Sequence, residues 1–435
     1  MKNIMRFKNS LFNSIIAATT YIIIYIFSFL NRAIFVRYLS ADYLGVNSLF
    51  AEMISVLSLT ELGIGTSIVY MMYKPLCEND ITQIRKLMGY YRKSYLIVEI
   101  VMSLLAIIML LILKSIIKGI FIKENVFFIY FLFVFHNISS YFFAYKKSIL
   151  VADQKIGITS IIDAFFKVIQ YIIQCIVLIA RHDYIAYLLV PIIMQITNNV
   201  VVTIYVNRKY PQYKKCNGQL GDNEKKEIRT NIKAMFLNRI GGKVIYSTDS
   251  IVLSVCINTL VVGYYSNYQL IFFAGLSLIE KLFSGAIASI GNFSIKKSKV
   301  EARHLFELMN FIAFWVISLM DILIYLLIDD FICLCFGNEY VLDKSIKTAL
   351  CIYFYLNAMR RPALLFWEAL GLFRYFKYKP LIESSINLFV SVILAKKVGL
   401  IGVILGSICS IVLTSVWVDP LIVCRYGISM NFENI

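Results

Sequence analysis

RKYPQYKKCNGQLGDNEKKEIRTNIK, Arg208 to Lys233, is the longest polar stretch in a chain otherwise made of apolar runs. Eight of its residues are Lys or Arg, and charge of that density does not enter hydrocarbon, where each ion costs at least about 2.5 kcal/mol. Reading outward, six apolar segments precede it and six follow, each near the roughly 20 residues an α-helix needs to cross a bilayer. They lie near residues 11–35, 44–73, 90–114, 125–145, 156–180, 184–206, 234–258, 260–291, 306–328, 344–373, 380–396 and 399–424. The runs are continuous rather than alternating, which excludes membrane strands, whose backbone groups are satisfied only in a closed barrel. The expected fold class is an all-α polytopic membrane protein of about 12 transmembrane helices, in two six-helix lobes around a central cavity. Residues 1–207 form the expected N-terminal lobe, 208–233 a cytoplasmic linker, and 234–435 the C-terminal lobe with a short cytoplasmic tail.

Composition agrees with that reading. The chain has 435 residues, 60% of them hydrophobic and 16% charged, with a mean hydropathy of +0.75, more apolar surface than a soluble chain of this length buries. Its 43 Lys and Arg against 26 Asp and Glu give a net charge of +17. The basic residues fall in short clusters between apolar runs, so no basic face for nucleic acid is expected. The connections on the amino-terminal side carry roughly three times as many Lys and Arg as the opposite side, which places both termini in the cytoplasm. The first apolar run lacks a small-residue cleavage site and is closed by Arg32 and Arg37, so it reads as a first transmembrane helix. Nine cysteines show no pairwise framework; Cys175, Cys256, Cys351, Cys409 and Cys424 sit in apolar runs and read as packing residues.

The halves echo one another weakly. Gly45, Ser48 and Glu61 correspond to Gly263, Ser266 and Glu280, with one single-residue gap. Both halves begin on the cytoplasmic side, so the repeat is a parallel one, as in two-lobed transporters.

Ionisable residues inside spans must face a cavity or a partner. Arg239 and Lys243 are one turn apart and form a basic stripe reaching from the cytoplasmic edge toward mid-membrane, suited to an anionic headgroup; snorkelling is the competing reading. Arg360 and Arg361 lie halfway along the tenth span beside Pro362, which interrupts the backbone ladder. A guanidinium clamps phosphate with two parallel hydrogen bonds; the alternative is an ion pair with Glu368 or with an acid on another helix. Arg32, near the outer end of span one, either snorkels or gates, and Lys281 adjoins Glu280 about 100° around the helix. Asp163 and Lys167, spaced i, i+4, are expected to neutralise each other. Glu61 stands beside Gly63 and Gly65, where close helix approach or a local break is expected. Glu61, Asp249 and Glu280 read either as carriers of H+ or Na+ or as charge balance for a basic cavity.

The absences narrow the chemistry further. Gly241-Gly242-Lys243 is followed by Val244 and lacks the earlier glycine of an ATP-binding phosphate loop. His136, His182 and His304 are scattered, and no nucleophile–base pair, metal-ligand spacing or cofactor motif is evident, so an enzyme is not expected.

Three stretches carry a family resemblance: NRAIFVRYLSADYLGVNSLFAEMISVLSLTELGIGTSIVYMMYKPL (Asn31 to Leu76), STDSIVLSVCINTLVVGYYSNYQLI (Ser247 to Ile271), and GLFRYFKYKPLIESSINLFVSVILAKKVGLIGVILGSICS from Gly371, followed by Trp417 and Pro420. In order and spacing they resemble the Wzx-type polysaccharide flippases of the multidrug/oligosaccharidyl-lipid/polysaccharide exporter superfamily. The resemblance implies two six-helix lobes, a basic central cavity and alternating access in a bacterial cytoplasmic membrane. It implies as cargo an undecaprenyl-diphosphate-linked oligosaccharide, moved from the inner to the outer leaflet for capsule, O-antigen or exopolysaccharide assembly. Membrane lipid, and the polymerase and chain-length proteins of that pathway, are the implied partners. On this reading Arg360, Arg361, Lys243, Arg239, Lys281 and Arg32 hold diphosphate or glycan. A drug/cation antiporter of the same superfamily would instead show an acid-dominated cavity. A membrane glycan polymerase would need a substantial external loop, and no outward loop exceeds roughly 20 residues.

Overall fold

The computed structural model describes residues 2–61, 63–117, 119, 121–153, 155–214, 216, 220–284, 299–370, 372 and 378–428. Within its helices, the side chains of 2–18, 59, 60, 114, 156, 227, 231, 233–246, 281, 284, 299–301, 368 and 369 fall outside that description. Among the described residues, every predicted span is occupied by a helix or by a helix broken once. In the first half these are α1 (Lys2–Tyr38), α2 (Ala41–Leu57) with α3 (Ile64–Glu78), α4 (Ile81–Ile116), α5 (Val126–Tyr141) with α6 (Ala144–Ala152), α7 (Ile156–Arg181) and α8 (Tyr184–Lys209). In the second half they are α9 (Asp222–Cys256), α10 (Thr259–Ser284), α11 (Lys299–Phe336), α12 (Lys344–Met359) with α13 (Arg361–Leu370), α14 (Lys379–Val398), and α15 (Leu400–Ser410) with α16 (Val416–Ile422). No strand occurs among the described residues.

Among the described residues, α1, α4, α7, α8, α11 and the continuous helical run Leu400–Ile428 that contains α15 and α16 are each long and apolar enough to cross a bilayer, and α5 with α6 makes a seventh such span, bent by 45°. The rest are shorter or carry more charge, the price of residues kept for other work. The long helices show what surrounds them. Along α4, Leu96, Ile100, Leu104, Ile107 and Leu111 are exposed, and along α11 so are Phe311, Trp315, Leu319, Ile322 and Leu326. Apolar faces of that extent belong against lipid rather than water. This is a multi-pass membrane protein.

The breaks have local causes. Between α2 and α3 the chain turns through a 3₁₀ segment, Ser58–Glu61, and Gly63 at φ 90°, a left-handed conformation that costs glycine little. Backbone freed there still needs partners in a membrane: Ser58 Oγ donates to the Ile54 carbonyl at 2.9 Å, and Asn137 Nδ2 donates to Ser58 Oγ at 3.1 Å. Between α5 and α6, Phe143 takes φ 61°. Arg360 is the residue at which α12 ends and α13 begins.

The chain divides into two compact units. One comprises Met1–Ser40, Met53–Lys114 and Phe121–Phe236; the other comprises Ala41–Glu52, Ser115–Ile120 and Leu237–Ile435. The division on the second side falls within α9, after Phe236, and the polar stretch 208–233 contributes the end of α8, a 3₁₀ turn at Pro211–Tyr213 and the start of α9. In the first unit α1 packs along α7, α7 on α8, α5 on α8 and α3 on α6. In the second unit α14 packs on α15, and α12 on both α11 and α15.

Small residues set the closest approaches, because helices in lipid associate through packing rather than through exclusion of water. A Cβ at Gly402 would strike the Leu394 carbonyl, and one at Gly406 would lie 2.7 Å from the Ser391 nitrogen. In the second unit the N-terminal part of α2 meets α10 through two of the repeated positions themselves. A Cβ on Gly263 would lie 2.9 Å from the Gly45 nitrogen, and Ser48 Oγ donates to Ser266 Oγ at 2.8 Å. Two of the three matched pairs are thus small where two helix backbones touch; the third, Glu61 with Glu280, lies outside this contact. Gly45→Val should lower the melting temperature of the detergent-purified protein by several degrees, and Gly221→Val, at an open site beside only Glu224, should leave it within one degree. Equal melting of both variants would refute the close-contact account.

Candidate functional site

The predicted diphosphate residues meet different fates. Arg360 lies at the α12–α13 junction, where its Nε donates to Asp419 Oδ2 at 3.0 Å and its Nη1 to Glu383 Oε1 at 3.1 Å. Lys379 completes the group, bonded to Asp419 and 3.6 Å from Glu383 Oε2. Two cations and two carboxylates, from the α12–α13 junction, α14 and α16, thus close into a neutral, largely buried quartet; Glu383 and Asp419 are 4% and 1% exposed. The ion pair with an acid on another helix, set beside the clamp in the sequence reading, describes the surroundings of Arg360. Lys379 was passed over there, although Lys379 and Glu383 at i, i+4 carried the signal.

Arg361 is placed differently. Its Nη2 lies 3.2 Å from Glu280 Oε1 on α10, and that carboxylate is 58% exposed while the guanidinium is 16% exposed. Its Nε is buried and has no hydrogen-bond partner among the described residues. An orphaned charged donor carries a penalty of a few kcal/mol that an anion would relieve. Glu280, read as ion coupling or charge balance, here balances charge. Glu368, the alternative partner considered for Arg361, has its side chain outside the described residues, as do Arg239, Lys243 and Lys281, whose backbones continue α9 and α10. Arg32 is half-buried on α1, next to Asn31, whose Nδ2 donates to Gln174 Oε1 at 2.9 Å.

The acids separate as well. Asp249 on α9 is fully buried; Ser407 Oγ donates to its Oδ2 at 2.9 Å, and Asn387 Nδ2 reaches its Oδ1 at 3.5 Å. No cation lies within ion-pair distance of it among the described residues, and the Asn387 Oδ1 has no partner there. A carboxylate, a hydroxyl and a free amide oxygen from α9, α15 and α14 form a set that suits a proton or a hard monovalent cation.

Glu61 accepts from Tyr95 Oη at 2.5 Å, and Tyr91 Oη donates on to Tyr95 Oη at 3.1 Å. Tyr141 packs edge-on to Tyr95 with ring centroids 5.3 Å apart. Gly65 makes room for this aromatic cage, since a Cβ there would lie 2.7 Å from Tyr91 Oη. Both readings of the TELGIGTS glycines, break and close approach, are realised at Gly63 and Gly65.

One expectation is overturned. Asp163 and Lys167 do not form an ion pair. Asp163 Oδ2 is taken by Lys147 of α6 at 2.5 Å, and its Oδ1 accepts from Asn198 Nδ2 of α8 at 3.0 Å. Lys167 Nζ donates instead to the neutral Gln170 Oε1 at 3.0 Å. The i, i+4 rule describes isolated helices, and a lysine from a neighbouring helix outcompetes it.

No protein-family model and no curated protein sequence matches the chain. Solved structures do share its architecture. An inward-facing multidrug resistance MATE family transporter of the MOP superfamily superposes with a TM-score of 0.72 at 13% identity, over 95% of this chain and 98% of that one. The lipid II flippase MurJ, in an inward closed conformation, gives 0.68 at 14% identity over 97% and 89%. A mutant of the Vibrio cholerae MATE transporter VcmN gives 0.62 at 14% identity, over 98% of each chain. The fold is that of these polytopic transporters.

The two arginines should separate in stability. Arg360→Gln strands two buried carboxylates on one lysine and should cost about 3–5 kcal/mol, seen as a clear drop in melting temperature. Arg361→Gln should cost less than about 1 kcal/mol, because its partner is exposed. If Arg360→Gln melts with the unaltered protein, the quartet is not structural.

Proposed function

We propose that this protein is a flippase that moves a polyprenyl-diphosphate-linked oligosaccharide, of the undecaprenyl type, from the inner to the outer leaflet of a bacterial cytoplasmic membrane by alternating access. Both termini face the cytoplasm on this reading, and the cargo serves assembly of a cell-surface polysaccharide. The observation that carries it is Arg361, a guanidinium inside a transporter fold with a buried N–H that has no partner among the described residues and an exposed, displaceable carboxylate as its ion-pair partner. A diphosphate supplies the acceptor oxygens that Glu280 leaves unmet, and Glu280 takes the cation back when cargo departs. In this way the empty carrier never holds a bare charge at membrane depth. Arg360 has no such freedom, so the role assigned to the arginine pair from sequence falls to Arg361. The similarity to the lipid II flippase supports a lipid-linked cargo, and the basic stripe of Arg239 and Lys243 with Lys281 remains part of the proposal.

Energy enters at Asp249. A carboxylate that has no cationic partner among the described residues, set against Ser407 and an Asn387 oxygen likewise unpartnered there, is the proposed place for H+ or Na+, and binding there would bias one state of the carrier by its difference in affinity between the two. No cofactor is part of the proposal.

A second reading has its own observation. Glu61 among Tyr91, Tyr95 and Tyr141 offers a carboxylate and ring faces, the chemistry that holds a cationic drug, and the likeness to MATE transporters supports it.

Reconstituted vesicles decide between the two. With a fluorescent undecaprenyl-diphosphate disaccharide, the unaltered protein should equilibrate probe between leaflets, and Arg361→Gln should slow this at least tenfold with normal membrane abundance. Normal transport by Arg361→Gln, or efflux of a lipophilic cation with no movement of the lipid probe, refutes the flippase. Asp249→Asn should bind the probe normally while losing acceleration by an imposed H+ or Na+ gradient; retained acceleration removes Asp249 from coupling.

A further inference from the structure

The first unit contains a cavity of about 230 Å³, partly open and walled by Lys147, Lys167, Asp163, Gln170, Gln195 and Asn198, with Phe166 and Met194 completing it. Its depth follows from the helices. Lys167 and Gln170 fall near the middle of α7, and Gln195 and Asn198 near the middle of α8, so the polar wall lies far from either interface. Asp163, Lys167 and Gln170 repeat at i, i+4, i+7 and share one face of α7. This polar surface costs several kcal/mol in a bilayer and has no packing role that apolar residues could not fill.

The charges do not cancel. Lys147 and Asp163 pair directly, while Lys167 hydrogen-bonds the neutral Gln170 Oε1 at 3.0 Å and feels Asp163 only at longer range, with no carboxylate within ion-pair distance among the described residues. The cavity therefore carries one positive charge in excess. Asn198 adds a second unmet requirement: it is 8% exposed, its Nδ2 donates to Asp163, and its Oδ1 has no hydrogen-bond partner among the described residues.

We infer that this cavity binds an acidic sugar of the transported glycan, one monosaccharide bearing a single carboxylate. The inference deepens the flippase reading and rests on it. Lys167 pairs with the sugar carboxylate, and charge then balances at zero. The free Asn198 oxygen accepts from a sugar hydroxyl, the Gln195 and Gln170 amides lie within the same wall, and the Phe166 ring covers a C–H face of the pyranose. A phosphate fits these groups less well. It brings more than one negative charge to a single lysine, and it offers no apolar C–H face to the Phe166 ring. The volume is also below the roughly 300–1,000 Å³ of pockets that enclose drug-sized ligands, so it suits one sugar rather than a chain.

The experiment measures binding to the full-length protein in nanodiscs by saturation-transfer NMR and calorimetry. The probes are a glucuronate-containing disaccharide, its neutral glucose counterpart and inorganic phosphate. The unaltered protein should prefer the acidic disaccharide about tenfold, or about 1.4 kcal/mol. Lys167→Gln should erase the preference without lowering the melting temperature, since it removes an unpaired buried charge, and Lys167→Arg should restore most of it. Asn198→Leu should weaken both sugars alike. Equal affinity for the two disaccharides, a preference that survives Lys167→Gln, or stronger binding of phosphate than of the acidic disaccharide each overturns the inference. Failure of the flippase reading is seen separately: a protein that keeps the Lys167-dependent preference but does not move the lipid probe has an acidic-sugar site without flippase activity.

Discussion

A positive charge at the depth of lipid tails is tolerated only if a carboxylate or a wet cavity receives it, and this chain answers that constraint in three ways. Arg360 and Lys379 are closed against Glu383 and Asp419 in a neutral quartet. Arg361 is half answered, by an exposed glutamate, with one N–H that has no partner among the described residues. Lys167 is answered by a neutral amide oxygen and, at longer range, by an Asp163 already paired with Lys147. The order of compensation is the order of availability to a ligand. A fully paired cation has nothing to offer an incoming anion, because the anion must first displace a partner of equal charge already buried beside it.

The backbone obeys a parallel constraint. Hydrogen-bond groups freed at a helix break must find partners where there is no water, and the breaks in this chain adjoin its functional candidates. Glu61 ends the 3₁₀ segment before Gly63, and Arg360 and Arg361 straddle the α12–α13 junction. A break redirects side chains away from the helix stripe they would otherwise follow, and it costs less where serine and asparagine already stand by, as Ser58 and Asn137 do. Close approach of backbones completes the frame. Gly45 with Gly263 and Gly402 with Gly406 occupy points where no side chain fits, so helices that gain little from expelling lipid are held by contact over short distances.

The helical spans were legible in the residue order because hydropathy over some 20 residues is a local property, and the seven that meet the length and apolarity of hydrocarbon by themselves frame the shorter or more charged ones between them. The breaks at Gly63 and at Arg360–Pro362 were legible for the same reason, and so was the requirement that buried ions have a cavity or a partner. Which partner was not. Asp163 chose Lys147, 16 positions away, over Lys167 at i, i+4; Arg360 found Asp419, 59 positions away, and Asp249 found Ser407, 158 positions away. Those choices are made by helix packing, which brings together groups that share no sequence interval, and the interaction of two charges depends steeply on a separation that only packing sets. The residue order therefore determined a membrane bundle with costly ions inside it. Tertiary structure decided which ions are spent on one another and which are left to meet a ligand.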